Sequence, residues 1–479
     1  MNAKIKLPLK ICCPIFVVLV LILSVFLLVR FSFPKNEFEL SDSQKVEIYE
    51  RMIASLREEN SDYCGESMNY CKRPETRHIQ CGEVLKRDKT YLSSIIEDNR
   101  IPLIRNPSLN MSCPEISKRI RPKYNMSSLK LGGVAFARNV FTDYELIEKQ
   151  VQMTWHPDNR YCFVVDKNAK DDFKRRIEQL VGCFEDQMVM PVTLFMDSAG
   201  HNQNLAHTKC MKALLQYPNW GYAMLLQNHD FITKTVYELD RIFDLMGGVI
   251  DVKTGGVIWE RDMKHLKWDP KSLKLFRNES AVPEDVLKTS LTFACGSVQA
   301  SLSRETVRWL IETADLTRFI DQQNQIVFGG DEQMISTFQI NSQLGIPGHF
   351  TKDCLEQGVS VEQVTRLVHW SSTGHANCVT KISRHGVCLF GIEDLIPMAE
   401  LPHLSFNKVY PKFDWSIIDC AAELVFNRTF LGQDNQHFDE DYYSNLVTVQ
   451  YHKNHKKPGY KLNCISNQKP RRYEDYIGS

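Results

Sequence analysis

The sequence predicts an α/β domain built on a mainly parallel sheet, set behind one membrane-spanning segment and a polar stem. Three observations carry this reading. Short buried-type runs recur, such as Arg160-Tyr161-Cys162-Phe163-Val164-Val165-Asp166 and Tyr222-Ala223-Met224-Leu225-Leu226-Gln227. Segments with apolar residues at helix spacing alternate with them across short connections. Ile11 to Val29 is an unbroken run without a charged side chain, close to the roughly 20 apolar residues that cross a bilayer core.

Taking the chain in order, Lys4, Lys6 and Lys10 precede the apolar run, and lysines on the short side favour a cytosolic N-terminus. A cleaved signal peptide would want an apolar stretch of about 7–15 residues and a small-x-small site. This run is longer, and Phe31-Ser32-Phe33-Pro34 is a poor site. The expected organisation is a cytoplasmic tail over 1–10, a signal anchor over 11–30, a lumenal stem over 31–128 and a compact domain over 129–479.

In the compact part, Lys130 to Ala137 reads as a first strand with glycines at its start, and Tyr144, Ile147, Val151 and Trp155 mark a helix. Arg160 to Asp166 is a strand ending on an acid. Lys170 to Val181 is a helix, Val189 to Leu194 a strand and Thr208 to Gln216 a helix. Tyr222 to Gln227 is a strand closed by Asn228-His229-Asp230, and Thr235 to Met246 is a helix. Alternation of this kind builds a parallel sheet, and ligands gather at the carboxyl ends of its strands. Asp166 and Asp230 stand at such ends, either as site residues or as ordinary loop acids and caps.

Composition narrows the function classes. The 58 basic and 58 acidic side chains balance, so no charge excess points to nucleic acid. Of 15 cysteines, Cys12 and Cys13 lie in the apolar run, open to palmitoylation or buried as spectators. The remaining 13 fall on the lumenal side, where disulfides persist. An odd number leaves one thiol over or joins it to a second chain, so a disulfide-linked or non-covalent dimer is open. Four N-x-S/T sequons, at Asn110, Asn125, Asn278 and Asn427, fit a secretory compartment.

G-x-x-x-x-G-K-[ST], H-E-x-x-H, G-x-S-x-G and G-x-G-x-x-G are all absent, which counts against ATP-driven chemistry, zinc proteolysis and the common serine hydrolase. His375-x-x-Cys378 and His385-x-x-Cys388 superficially resemble a zinc site, and a Cys378–Cys388 disulfide suits a lumenal setting better. The one D-x-D, Asp439-Glu440-Asp441, lies in a polar stretch and reads as a solvated acidic loop. Gly329-Gly330-Asp331-Glu332 is the sharpest acidic pair. It precedes Met334, Ile335 and Phe338 at helix spacing. The pair is either a helix cap or a general base on a glycine-hinged loop.

Several segments together resemble the core-2/I-branching β-1,6-N-acetylglucosaminyltransferase family, with the related xylosyltransferases. They are DYELIEKQVQMTWHPDNRYCFVVDK, KCMKAL, LLQNHDFITKT, FACGSVQASLSRE, GGDEQMIST, LVHW, CVTKISRHGVCLFGIEDL and LSFNK, in that order over roughly Cys81 to Val425. The resemblance implies a variant GT-A glycosyltransferase domain, a type II anchor in the Golgi membrane with the catalytic domain lumenal, and an inverting reaction. It implies no cofactor and no metal, in keeping with the acid-poor strand end at Asn228-His229-Asp230. The expected donor is UDP-GlcNAc and the expected product a β-1,6 branch on a mucin-type O-glycan. Same-fold transfer from UDP-glucose or UDP-xylose, or a catalytically silent glycan-binding membrane protein, are the alternatives.

Residue by residue, the resemblance implies Glu332 as catalytic base and Arg384 and Lys408 as cations for the diphosphate. Asp166 and Lys167 would contact uridine, with Ala137, Arg138 and Asn139 at a further nucleotide contact. Trp370 would face the acceptor sugar, while Ser372 stands where some members carry tyrosine. The implied disulfides are Cys81–Cys420, Cys113–Cys183, Cys162–Cys210 and Cys378–Cys388. Cys64, Cys71, Cys295, Cys354 and Cys464 fall outside that set; Cys64 and Cys71, close together in the stem, are expected to pair.

Overall fold

The computed structural model describes residues 70–106, 108–257, 265–371, 378–433, 438–465 and 473. The described residues belong to one compact unit, Ile48–Ser479; residues 1–47 lie outside the described residues. Among the described residues no helix is long and apolar enough to cross a membrane. The anchor expected over 11–30 lies outside them. Residues 70–120 of the segment expected as a stem are packed into the compact unit. Ile79, Cys81, Val84, Ile95 and Ile101 share a core with Trp415, Ile417, Ile418 and Cys420. Helix α1 (Cys113–Ile120) buries Ile116 and Ile120. Scattered apolar residues, too sparse for a visible helix or strand period, are what hid this packing from the sequence pattern.

The main sheet starts at β1 (Val134–Val140), which is buried along its whole length. Gly132 and Gly133 turn the chain just before it, at φ 76° and 114°. A Cβ at Gly133 would collide with the Asp158 carbonyl. These left-handed glycines place the strand start at Val134 rather than Lys130. Helix α2 (Tyr144–Met153) leads to β2 (Arg160–Asp166), parallel to β1 from Ala135↔Arg160 to Val140↔Val165. Helix α3 (Asp171–Gly182) buries Phe173, Ile177 and Leu180. The strand expected over Val189 to Leu194 is two pieces, β3 (Met188–Val189) and β4 (Thr193–Leu194). Pro191 lies between them and has no N–H for a ladder.

Helix α4 (Gln203–Leu214) begins before the expected Thr208. Its start is set from a distance: Asn202, at φ 60°, donates its N–H to Asn324 Oδ1 at 2.9 Å. Strand β5 (Tyr222–Gln227) runs parallel to β1 on the side away from β2. Beyond the short β6 (Phe231–Ile232), helix α5 (Val236–Met246) opens with a capping box between Thr235 and Glu238 and closes on Gly247. Strand β7 (Ala300–Ser303) joins β5 antiparallel, giving the order β3-β2-β1-β5-β7. A parallel sheet with one antiparallel edge strand is a common mixed form.

Two consequences position the site. First, the chain leaves β1 toward β2 and later returns to β5 on the other flank. The β1–β5 border is therefore the switch point, where a crevice opens beyond the carboxyl ends. Second, a smaller sheet grows from that point. β6 follows β5 after one turn and pairs with β11 (Ser405–Asn407), which pairs in parallel with β8 (Arg366–Val368). The hairpin of β9 (Ser383–Arg384) and β10 (Val387–Cys388) lies beside it, with Trp370 bridged to Val387.

Five disulfides with both cysteines among the described residues staple this arrangement. Cys81–Cys420, Cys113–Cys183, Cys162–Cys210 and Cys378–Cys388 are the pairs the resemblance implies; Cys354–Cys464 is a fifth. Cys71 is also disulfide-bonded, and Cys64, its expected partner, lies outside the described residues. Cys295 enters no disulfide. Sequons Asn110, Asn125 and Asn278 are exposed, while Asn427 is half-buried in helix α6 (Ser416–Phe430).

The fully buried Leu226 on β5 tests how much the sheet contributes. Leu226→Ala should destabilise the protein by about 2–5 kcal/mol, the usual cost of a core truncation. Val327→Ala, at a side chain 85% exposed, should stay within about 0.5 kcal/mol. Urea unfolding of the two variants checks both.

Candidate active site

The turn after β5 builds the floor of the crevice. Asp230 is fully buried, and its carboxylate is surrounded by donors. Gln227 N–H and Gln299 Nε2 donate to Oδ2 at 2.6 and 2.9 Å, and Asn407 Nδ2 donates to Oδ1 at 2.9 Å. The Arg366 Nε stands 3.7 Å from Oδ1. From behind, the Arg138 guanidinium donates to the Gln227 and Asp230 carbonyls at 3.1 and 2.8 Å. Burial lowers Arg138 to about 10, against the opposing pull of Asp230. His229 bonds through Nε2 to Asp143 Oδ2 at 2.9 Å, and burial lowers its pKa.

The small sheet and the hairpin then deliver three cations. Arg366 on β8 donates to Gln299 Oε1 at 2.8 Å and to Asn407 Oδ1 at 3.1 Å. Arg384 on β9 lies over the Tyr410 ring, 4.7 Å from its centroid, a cation–π contact that orients the guanidinium. Tyr410 in turn meets His229 edge-on at 5.2 Å. Lys408 follows β11 directly. Burial, with Arg366 and Arg384 beside it, lowers its ammonium to about 8. Such crowding of like charge suits a site that takes an anion, which would relieve the repulsion and restore the proton.

Glu332 approaches from the other side. It sits in a 3-10 turn, Gly330–Gln333, whose leading Gly329 takes the left-handed conformation at φ 72°. Its carbonyl accepts from Gly296 N–H at 2.9 Å and Ser336 Oγ at 3.0 Å. Both Glu332 and Asp331 act on Arg366 electrostatically. The helix behind, Met334–Ile340, has Gln333 at its N-cap with no side-chain cap bond. Glu332 is half-buried and Asp331 buried, with a Cβ at Gly200 excluded by the Asp331 carboxylate.

The residues singled out from sequence divide into groups. Glu332, Arg384 and Lys408 are drawn together through Arg366 and Asp230. Trp370 is 41% exposed and pairs with the same Val387 that pairs with Arg384. Asn139, next to the last residue of β1, has its Nδ2 bonded to Gln203 and its buried Oδ1 without a hydrogen bond. Ala137 is fully buried against α4 and has only backbone to offer. Asp166 closes a turn, accepting from Asn168 N–H at 2.6 Å and Met196 N–H at 3.2 Å; Lys167 is exposed. Arg138 is buried, and its guanidinium supports the 228–230 turn through the Gln227 and Asp230 carbonyls. Ser372 lies outside the described residues.

Asp230 offers little to a metal, since protein donors take its oxygens. The D-x-D at 439–441 starts a short helix: Asp439 caps it through Tyr442 N–H at 3.0 Å, and Glu440 pairs with Arg241 at 2.5 Å. Among the described residues, the one close group of three potential ligands is Cys81, Cys420 and Glu423, and a disulfide consumes both thiols. The residue that sequence reasoning missed is Arg366. Its signal was a charged residue inside the otherwise apolar strand segment Arg366-Leu367-Val368.

The fold is α/β, and the cluster gathers Arg366, Arg384 and Lys408 beyond the carboxyl ends of its strands. The sequence model of the core-2/I-branching enzyme family matches residues 134–399, more than half of the chain. The chain belongs to that family and is a glycosyltransferase. It is 22% identical over 404 residues to human β-1,3-galactosyl-O-glycosyl-glycoprotein β-1,6-N-acetylglucosaminyltransferase 3, covering 79% of this chain and 90% of that one. It is 23% identical over 398 residues to the bovine herpesvirus 4 β-1,3-galactosyl-O-glycosyl-glycoprotein β-1,6-N-acetylglucosaminyltransferase, covering 79% and 89%.

The lowered Lys408 makes anion binding depend on pH. Below about 8 the amine is charged and attracts a diphosphate; above it the amine loses its proton and the attraction. UDP affinity should therefore be flat near pH 7 and fall above pH 8, by up to roughly tenfold per pH unit. Lys408→Gln should bind weakly at pH 7 and lose that slope. Calorimetric titration with UDP across pH 6.5–9.5 checks the sign, with pH chosen to bracket the lysine.

Proposed function

We propose that this protein moves GlcNAc from UDP-GlcNAc to a hydroxyl of a mucin-type O-glycan, forming a β-1,6 branch with inversion at the anomeric carbon. The observation that supports this is a chain of charges beyond the carboxyl ends of β1 and β5: Arg384 and Arg366 act on Lys408, and Glu332 acts on Arg366. The names of the relatives support the choice of sugar and linkage. Glu332 takes the proton from the acceptor hydroxyl as its oxygen attacks C1 of the sugar. The C1–O bond to UDP breaks, and Arg384 and Lys408 stabilise the departing diphosphate, with no metal in the mechanism. Trp370 gives the acceptor sugar an apolar face. Asp166, Lys167 and the end of β1 at Asn139 hold the nucleoside. The protein works as a single-pass type II protein of the Golgi membrane with this domain in the lumen.

Two outcomes test the reading. Glu332→Gln should lower transfer by about 10²–10⁴-fold, the size of a general-base contribution, while UDP affinity changes little. Near-normal turnover would move the base elsewhere. In a donor screen with a β-1,3-galactosyl O-glycan acceptor, UDP release should be fastest with UDP-GlcNAc and unchanged by excess EDTA. Preference for UDP-glucose or UDP-xylose would replace the donor. No turnover with any donor would leave a glycan-binding protein, and loss in EDTA with rescue by manganese would end the metal-free mechanism.

A further inference from the structure

Arg366 has no role in the mechanism above, yet it contacts the segments that lie next to Glu332 and Lys408. Its guanidinium donates to Ser297 Oγ at 3.3 Å and Gln299 Oε1 at 2.8 Å. Ser297 follows Gly296, whose N–H holds the Glu332 carbonyl. On the other side it donates to Asn407 Oδ1 at 3.1 Å, next to Lys408 in the chain. Below, it faces the buried Asp230 at 3.7 Å, and its Nε makes no hydrogen bond. A planar fork with donors on three sides can brace three segments at once, and a lysine cannot.

We propose that Arg366 is a positioning residue of the transfer reaction. It braces the Glu332 loop and the Lys408 strand against one buried carboxylate, and its charge acts on Lys408 across the floor of the site. The proposal rests on the donor-site reading above. The charged and titratable groups that face Lys408 are Arg366 from β8, Arg384 from β9, and Asp230 and His229 from the turn after β5. Removing the Arg366 charge relieves one of two repulsions on the lysine. Keeping the charge without the fork loosens the geometry and leaves that repulsion in place.

The test uses the full-length protein with Arg366→Lys and Arg366→Gln, measuring transfer kinetics and UDP affinity against pH. Both variants should lower kcat by about tenfold to a hundredfold, the cost of small misplacement of reacting groups. In Arg366→Lys the fall of UDP affinity should still begin near pH 8. In Arg366→Gln it should begin at a higher pH, because Lys408 then keeps its proton longer. A normal kcat in Arg366→Lys overturns the bracing role, and this variant decides alone if Arg366→Gln does not fold. An unmoved pH limb in a folded Arg366→Gln overturns the charge coupling and leaves a structural arginine. If Arg384→Ala and Lys408→Ala also bind UDP normally, the donor-site reading has failed and takes the proposal with it. If those two weaken binding while both Arg366 variants behave as wild type, only the proposal fails.

Discussion

The buried carboxylate of Asp230 is the contact on which the site depends. A charge without exposure is costly unless its lone pairs are filled, and here a backbone N–H, two side-chain amides and a guanidinium surround it. Those donors come from β5, from the segment before β7, from β11 and from β8. One acid thus ties the main sheet to the small sheet. The Arg138 guanidinium fastens the same turn from the far face, so the turn is held from both sides.

From this anchor follows the electrostatic character of the crevice. Arg366, Arg384 and Lys408 stand together because the small sheet and the hairpin are fixed, and the single carboxylate at their centre is already used. The cations repel one another, and Lys408 bears the result as a lowered pKa. Under the proposed function, such a fixed cluster needs little reorganisation when charge develops on a leaving group. Glu332 stands apart on a glycine-hinged turn, held through its backbone by Gly296 and Ser336.

The staples follow the same logic. Cys378–Cys388 closes the hairpin that carries Arg384, and Cys162–Cys210 joins β2 to α4 beneath the crevice. Cys81–Cys420 and Cys113–Cys183 bind residues before β1 to the domain. Loop closure of long segments is where a crosslink restricts the unfolded chain most. The 339-residue separation of Cys81 and Cys420 shows how far apart in sequence the sealed ends lie.

Local pattern in the sequence determined the alternation of β1, α2, β2, α3, β5 and α5, because hydrophobic period and capping residues act within a few positions. Glu332, Arg384 and Lys408 stand out only through the family resemblance, since spacing alone leaves Glu332 open between a helix cap and a base. Local pattern missed the early start of α4 and the packing of residues 70–120, since both rest on partners more than a hundred residues away. The hold of Arg138 on the 228–230 turn was likewise invisible to local pattern. Only the tertiary structure decided that Asp230 is an internal anchor and that Arg366 reaches Ser297, Asn407 and Asp230 together. Those roles are set by three-dimensional convergence of β5, β8 and β11, and no local spacing in the chain encodes which distant side chain fills a buried lone pair.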